Sequence, residues 1–353
     1  MKSAHFLIPG DPDTRTGGYL YDRRIIGGLA ALGWHVASHR LDASFPAPTP
    51  AALAEAAAVL AALPAQALTI IDGLALGAMP EAVAPQRERL RLVGLVHHPL
   101  ALETGLDEAR QRRLHASERE ALRHVRQVIV TSPSTARALA DYGVAPERCA
   151  AVPPGTDPAP LATGSSGGEP ALLCAASLTP RKGHAVLFRA LARLKHLPWR
   201  LRCAGSATLD PATAARLRVL LDELALGDRV DMLGELNTDD LAGRYLESDL
   251  FVLPSFHEGY GMVLAEALAR GLPIIGTTAG AIPDTVPATA GLLVPPGDDA
   301  ALADALARVL TDPELRQRLA AGARKARETL PDWPTVCARF AATLEAASTR
   351  PVR

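Results

Sequence analysis

Residues 249–268 read DLFVLPSFHEGYGMVLAEAL, and this stretch decides how the second half of the chain folds. The apolar run 250–253 predicts a buried strand that ends at Pro254. A turn with two glycines follows, and the residues from Met262 onward predict a helix. The first backbone N–H groups of a helix have no partner within it, and the helix dipole favours negative charge there. The stretch therefore predicts a strand–turn–helix unit that binds a phosphate group.

Two glutamates flank this predicted phosphate site. Glu258 and Glu266 are eight residues apart in the sequence, which along a helix corresponds to roughly 12 Å at about 1.5 Å per residue. That length is comparable to a diphosphate with a sugar at either end. We therefore expect Glu258 to hold the hydroxyls of one sugar and Glu266 the hydroxyls of the other.

Short apolar runs alternate with helical stretches along both halves of the chain, which predicts βαβ units around parallel sheets. The Gly/Ser-rich segment 163–168 separates the halves and reads as a linker. We predict an α/β fold of two Rossmann-like, doubly wound domains that face a central cleft. Ligands bind such sheets beyond the carboxyl ends of the strands. The predicted boundaries are 1–160 for the first domain, 170–330 for the second and 331–353 for a C-terminal helix and tail.

Composition limits the class of partner. The 353 residues carry a net charge of −1 and only 4% aromatic residues, which argues against a nucleic-acid partner. The four cysteines form no C-x-x-C pair, so we expect them to be reduced and buried. No apolar stretch approaches ~20 residues and no signal pattern opens the chain, so the sequence predicts a cytoplasmic protein.

Further candidate residues follow other predicted strands. Arg181 and Lys182 come after the first strand of the second domain and suit a diphosphate, because Arg binds phosphate oxygens bidentately and Lys adds a compact charge. Gly17 and Gly18 come after the first strand of the chain and let the backbone approach a ligand closely.

Histidines and polar residues follow the strands of the first domain. His97 and His98 stand in tandem at a predicted strand end, with Glu103 close behind, and only one of the two is expected to face the cleft. Asp72, Thr131 and Ser132 also fall at strand ends, where they are candidates for acceptor contacts, although turn and cap chemistry explains them equally well.

The segments PSFHEGYGMVLAEAL at 254–268 and EALARGLPIIG at 266–276 strongly resemble the E-x7-E region of retaining glycosyltransferases of family 4, which have the GT-B fold. The resemblance implies transfer of a sugar from a nucleoside diphosphate sugar to an acceptor hydroxyl. It implies that Glu258, Gly259, Tyr260, Gly261 and Glu266 bind the donor, and that His97 lies by the donor sugar, with His98 in reserve. It also implies a last helix that crosses back onto the first domain.

One motif departs from the family. Members typically carry G-R-L-x-x-x-K-G where this chain has ASLTPRKG at 176–183. Ser177 therefore stands in place of the usual arginine, Lys182 keeps the lysine position, and we expect Arg181 to supply the missing charge.

No cofactor and no metal are expected, because no His, Cys or Asp cluster has metal-ligand spacing and the Asp-x-Asp at 11–13 reads as a turn. The basic residues of 107–128 are diluted by acidic ones, which favours a solvated helix over membrane docking. Two alternatives remain open: a sugar-nucleotide epimerase of the same fold, and a non-catalytic module that binds sugar nucleotides.

Overall fold

The chain divides into two compact units, Met1–Gly155 with Pro331–Arg353, and Thr156–Leu330. The computed structural model describes residues 2–349, so the end of the predicted C-terminal segment, residues 350–353, lies outside the described part. Each unit contains one six-stranded sheet and flanking helices. The predicted α/β fold with two doubly wound domains is therefore confirmed.

The sheet of the first unit is parallel throughout, with the strand order β2-β1-β3-β4-β5-β6. Its strands are β1 (Lys2–Pro9), β2 (Trp34–Leu41), β3 (Leu68–Asp72), β4 (Arg91–Val96), β5 (Gln127–Val130) and β6 (Cys149–Ala151). The chain moves from β1 to β2 on one side and then returns to β3 on the other. The direction of winding thus switches between β1 and β3, and a crevice is expected at their carboxyl ends.

The helices of the first unit include one from the far end of the chain. They are α1 (Gly17–Ala31), α2 (Pro50–Ala62), α3 (Gly73–Leu76), α4 (Pro80–Val83), α5 (Glu108–Arg123), α6 (Pro133–Ala138) and α14 (Trp333–Thr349). Helix α14 packs against α1, where a Cβ on Gly28 would lie only 2.1 Å from Cys337 Sγ. The absence of a side chain at Gly28 therefore allows the two helices to approach closely. The predicted return of the last helix to the first domain is confirmed.

The sheet of the second unit is also parallel and doubly wound, with the strand order β12-β11-β10-β7-β8-β9, but three strands rather than two precede the switch in direction. Its strands are β7 (Ala171–Ala175), β8 (Arg200–Ala204), β9 (Val230–Gly234), β10 (Leu250–Leu253), β11 (Ile274–Thr277) and β12 (Gly291–Val294). Here the winding switches between β7 and β10. The segments that follow these two strands contain Arg181, Lys182 and Glu258.

The helices of the second unit are α7 (His184–Ala192), α8 (Pro211–Glu223), α9 (Thr238–Leu246), α10 (Met262–Ala269), α11 (Ile282–Thr285), α12 (Asp299–Thr311) and α13 (Pro313–Ala326). Within residues 2–349, no helix has both the length and the apolar composition needed to cross a membrane.

Sequence patterns predicted neither the edge strands β6 and β12 nor helix α9, and they also missed the short helices α3, α4, α6 and α11. Strand β6 has the sequence CAA, which lacks the β-branched residues that favour strands, and β12 is an edge strand of only four residues. Helix α9 contains three acidic or basic residues within its nine and too few apolar ones to reveal its period.

Candidate functional site

In the second unit, the segments after β7 and β10 are held together by their backbones. Gly183 has a φ of +71°, and a Cβ at this position would lie 2.1 Å from the carbonyl oxygen of Pro254. The N–H of Phe256 donates to the carbonyl oxygen of Arg181 at 2.8 Å, and Arg181 Nη1 donates to the carbonyl oxygen of His257 at 2.8 Å. These contacts bring residues far apart in the sequence to one edge of the sheet.

A charge cluster lies at this edge. Lys182 Nζ donates to Glu258 Oε1 at 2.6 Å, and Arg181 Nη1 lies 3.6 Å from Glu258 Oε2. Ser255 Oγ also donates to Glu258 Oε1 at 2.6 Å. The side chain of Glu258 is only 7% exposed, that of Lys182 15% and that of Arg181 20%. Two cations and one carboxylate give the cluster a formal charge of +1, which suits an anion.

Burial and neighbouring charges have opposite effects on these groups. Burial by itself raises the pKa of Glu258, but Lys182 and Arg181 outweigh it, so that the pKa falls below its ordinary value and the group is a carboxylate. Burial lowers the pKa of Lys182, and the attraction of Glu258 opposes this shift only in part. The two cations expected to neutralise a diphosphate therefore pair with Glu258 in this structure.

The two helices at the switch point lack side-chain caps. Helices α7 and α10 begin after Gly183 and Gly261, which both have positive φ, and no side chain bonds to their first N–H groups. Side chains cap the first turns of α1, α2, α3, α5, α6, α8, α9, α12 and α13, whereas the short helices α4 and α11 lack such caps as well. The first N–H groups of α7 and α10 therefore lack a side-chain partner, which is the feature that suits a helix start to an anion.

Glu266 lies on α10, where the phenol of Tyr245 donates to its Oε2 at 3.1 Å. The guanidinium of Arg270 stacks over the Tyr245 ring, 4.4 Å from its centroid. Burial raises the pKa of Glu266, although Arg270 and Tyr245 oppose the shift. Tyr245, which is fully buried, thus fixes the carboxylate expected to bind a ribose.

The turn before α10 is shaped by its neighbours. The carbonyl oxygen of Tyr260 accepts from Thr285 Oγ1 at 3.0 Å. The carbonyl oxygen of Glu258 accepts from the N–H of Ala281 at 2.8 Å, so Gly259 stands between two anchored residues. Ser177, which follows β7, is half-buried, and its carbonyl oxygen accepts from the N–H of Thr179.

In the first unit, His97 follows β4 and meets two carboxylates. Its Nε2 lies 3.2 Å from Asp22 Oδ1 and 3.3 Å from Asp72 Oδ2. Asp22 is completely buried on α1, and Asp72 is buried at the end of β3. A Cβ on Gly18 would touch the His97 ring at 3.4 Å. The glycine pair at 17–18 thus opens α1 directly beside the histidine.

The other candidates of this unit divide into two groups. His98 Nε2 lies 3.4 Å from Glu103 Oε2, away from the Asp22 and Asp72 carboxylates that His97 contacts. Thr131 Oγ1 donates to the carbonyl oxygen of His97 at 3.1 Å, and Ser132 caps α6 by accepting from the N–H of Thr135. Thr131 and Ser132 thus have structural contacts of their own, the alternative that the sequence left open.

Three residues of these sites were not singled out by the sequence patterns: Asp22, Ser255 and Tyr245. Asp22 carried a signal, because it shares the buried face of α1 with Ile25 and Leu29, where a carboxylate is unusual. No local pattern marked Ser255 or Tyr245. The side-chain atoms that could bind a metal ion in Asp22, Asp72 and His97 also lie within 4.8 Å of one another. Spacing along the chain cannot show this group, because its members belong to three separate elements.

Two family sequence models cover most of the chain. The family described as "Glycosyl transferases group 1" matches residues 160–326, and the one described as "Glycosyltransferase Family 4" matches residues 15–160. Among curated proteins, the chain is 28% identical over 274 residues to MMP alpha-(1->4)-mannosyltransferase of Mycolicibacterium hassiacum, which covers 73% of this chain and 66% of that protein. It is 32% identical to D-inositol 3-phosphate glycosyltransferase of Saccharomonospora viridis over 64% of this chain and 56% of that protein. The chain thus spans less than two thirds of the length of these relatives.

Solved structures share the fold. Sucrose-phosphate synthase from Thermosynechococcus elongatus superposes with a TM-score of 0.84 at 24% identity, covering 98% of this chain and 99% of that one. Anabaena HepE in complex with UDP-glucose superposes with a TM-score of 0.78 at 19% identity, covering 98% of this chain and all of that one. With the family matches, the two switch-point sheets and the returning last helix all in agreement, this chain belongs to glycosyltransferase family 4 and has the GT-B fold.

Proposed function

We propose that this protein is a retaining, metal-independent glycosyltransferase that moves a hexose from a nucleoside diphosphate sugar to an acceptor hydroxyl. The observation that carries the proposal is the buried cluster of Arg181, Lys182 and Glu258 beside two uncapped helix starts. Its formal charge of +1 and its free N–H groups suit a diphosphate next to a sugar.

Each residue has a distinct role in this proposal. Lys182 and Arg181 bind the diphosphate, with Arg181 supplying the charge absent at Ser177. Glu258, which carries a full charge, accepts from hydroxyls of the donor sugar, and Glu266 accepts from ribose hydroxyls. The donor and acceptor remain open. The names of the relatives, mannosyltransferase and inositol phosphate glycosyltransferase, and the UDP-glucose bound by HepE make hexoses the first donors to test.

The reaction needs the leaving diphosphate to be stabilised. The bond between the anomeric carbon and the phosphate oxygen breaks, and the acceptor oxygen forms a bond to the same face of that carbon. The acceptor proton passes to the departing phosphate oxygen, so no protein base is required. The Arg181 and Lys182 cations and the starts of α7 and α10 provide preorganised positive charge for the leaving group, which makes a metal unnecessary.

A thermal-shift panel tests donor binding. UDP-, GDP-, ADP- and dTDP-linked hexoses are compared with the corresponding diphosphates. A ligand at 100 times its Kd stabilises a protein by about 2.7 kcal/mol, which gives a clear shift. Neutralising both Glu266 and Lys182 is expected to abolish the shift. Failure of every donor to bind, or unchanged binding by that double variant, would refute the proposal.

Product analysis then separates the proposed activity from its rivals. With a binding donor and a panel of hydroxyl acceptors, the transferase releases the nucleoside diphosphate and keeps the anomeric configuration. An epimerase would produce the epimeric sugar nucleotide without any acceptor. A binding module would release no diphosphate with any acceptor. Retained activity after treatment with EDTA is expected, and loss of activity that Mg²⁺ or Mn²⁺ restores would contradict metal independence.

A further inference from the structure

The three-residue cluster of the first unit has an unusual composition. One imidazole nitrogen, His97 Nε2, lies within 3.3 Å of carboxylate oxygens from both Asp22 and Asp72. Asp22 is completely buried and its Oδ2 has no hydrogen-bond partner among the described residues. A buried carboxylate of this kind is costly to the fold unless a charge balances it. The cluster therefore calls for a positive charge at His97.

A hydrogen on Nε2 accounts for both short contacts, since it can be shared between the two carboxylate oxygens. Burial tends to lower the pKa of His97, but the two carboxylates outweigh it and raise the pKa to about 10. Burial raises the pKa of Asp22 to about 6, with His97 opposing the shift. The other titratable groups facing the cluster are the phenols of Tyr19 and Tyr21, whose pKa values are both raised, so they stay neutral.

The charge decides what the other ring nitrogen can do. A neutral imidazole has a single N–H, and if Nε2 carries it, Nδ1 can only accept a hydrogen bond. An imidazolium has two N–H groups, so Nδ1 becomes a charged donor. Nδ1 of His97 has no partner among the described residues and is not sealed from solvent. The side chain is 20% exposed, which leaves this nitrogen available to a ligand.

We propose that Asp22 is a positioning residue that, together with Asp72, fixes His97 as an imidazolium, so that its Nδ1–H is a charged donor for an oxygen atom of the substrate. This inference rests on the glycosyltransferase activity proposed above. The recognised chemistry is an oxygen acceptor, either a sugar hydroxyl or a phosphate oxygen. Asp22 acts through the histidine and does not itself touch the substrate.

The charge state is tested by NMR on the full-length protein without substrate. The imidazole signals of His97 are assigned by their loss in H97Q and followed from pH 5 to pH 11. His97 is expected to stay protonated well above pH 8, and D22N is expected to lower its midpoint by about one to three units. D72N serves as a second variant, so that poor folding of D22N leaves the test intact. E118Q is the matched control, because Glu118 is another buried carboxyl of the same unit and its substitution is expected to leave the His97 midpoint unchanged.

The functional arm is the pH profile of kcat/KM. The wild type is expected to show no loss of activity as the pH rises through 6.5, whereas D22N acquires a new alkaline limb. Activity then falls about tenfold for each pH unit above the new midpoint. In an H97Q background, adding D22N is expected to change kcat/KM no further. Donors that each lack one sugar hydroxyl are then compared with the intact donor in the wild type and in H97Q. When the missing hydroxyl is the one that pairs with His97, H97Q is expected to cause no further loss of kcat/KM, which identifies that oxygen.

Three results would overturn the inference. The first is a His97 midpoint near 6.5 in the wild type, and the second is a raised midpoint that neither D22N nor D72N lowers. The third is tight binding of Zn²⁺ that depends on Asp22, because a metal needs the Nε2 lone pair free of a proton. If no donor is turned over, the activity proposal and the role of the Nδ1–H fail together, while the NMR titration still decides whether the carboxylates hold the charge.

Discussion

At the scale of single residues, the pairing of Lys182 with Glu258 explains how the charge cluster of the second unit can be positively charged and still stable. Lys182 Nζ and Glu258 Oε1 are 2.6 Å apart, and both side chains are largely buried. Under the proposed function, a diphosphate would meet two cations already held in place, so that little ordering would remain to oppose binding. The same pairing means that neither member can be removed without leaving its partner exposed to a large desolvation cost.

We therefore predict that K182A destabilises the second unit by about 1–3 kcal/mol, because Glu258 loses its charged partner at 2.6 Å and keeps Arg181 at 3.6 Å and Ser255. The double variant K182A/E258Q is expected to recover most of that stability, because it removes both charges. Neither variant is expected to bind the donor. Urea unfolding measures the stability, and a double variant as unstable as K182A would show that the pair itself is not the cause.

Glu118 makes stability depend on pH. It lies on α5, and its Oε2 accepts from the N–H of Leu100 at 2.9 Å. Burial raises its pKa to about 8, far above the ordinary value of 4.5 that applies in the unfolded chain. The unfolded state therefore loses its proton first, so the stabilising contribution is fully present below pH 4.5 and is lost as the pH rises to about 8.

The prediction is that the free energy of unfolding of the first unit falls by a few kcal/mol between pH 5 and pH 8, at up to about 1.36 kcal/mol per pH unit. In E118Q, which keeps an acceptor oxygen but cannot ionise, this part of the pH dependence is expected to disappear. Denaturant unfolding at several pH values measures it. An identical pH slope in the wild type and E118Q would contradict the assignment.

At the scale of elements, helix starts and helix contacts determine where the site forms. Helices α7 and α10 follow the two strands where the winding of the second sheet switches, and both lack side-chain caps. The glycines of the turn showed the start of α10, and Arg181 and Lys182 predicted that the start of α7 faces the same cleft, but no pattern showed that Gly183 packs directly against Pro254. That neighbourhood follows from the pairing of β7 with β10, which only the folded sheet decides.

The contact between α1 and α14 gives a prediction with an internal control. G28A places a methyl group where Cys337 Sγ and Cβ lie within 2.6 Å, so the helices must separate, at an expected cost of about 1–3 kcal/mol. Gly27 is the next residue of the same helix and has nothing within 4 Å of its Cβ position. G27A is therefore expected to stabilise the protein by about 1 kcal/mol through helix propensity.

Thermal unfolding of the two variants decides the point. Opposite shifts in Tm are expected for G28A and G27A. Equal shifts would mean that helix propensity alone acts at both positions, and that the close approach of α14 contributes nothing.

At the scale of the whole molecule, the first unit is built from two separate stretches of the sequence. The first unit is formed by the beginning and the end of the sequence, and the second by its middle. Phe340 of α14 is completely buried and its ring lies 6.4 Å from that of Tyr21 on α1. The C-terminal helix therefore contributes to the core of the N-terminal sheet unit.

From this arrangement we predict that F340A, near the C-terminus, destabilises the first unit by about 3–5 kcal/mol. F188A, which removes a fully buried ring of α7, is expected to destabilise the second unit by a similar amount. Hydrogen exchange resolved by peptide distinguishes the two. Faster exchange in β1 and β3 is expected for F340A, and in β7 and β8 for F188A. If either substitution instead speeded hydrogen exchange mainly in the strands of the other unit, the division into two separate cores would be contradicted.

The sequence by itself determined the local features: the alternation of strands and helices, the glycine turns, and the E-x7-E segment with Glu258 and Glu266. These depend on residues within one or two turns of each other, so periodicity and propensity reveal them. Only the tertiary structure decided that Lys182 and Arg181 neutralise Glu258, that Asp22 meets His97, and that α14 requires Gly28. The paired residues Lys182 and Glu258 are 76 positions apart, and Asp22 and His97 are 75 apart. Contacts over such separations arise from strand order and helix packing, which no local pattern encodes.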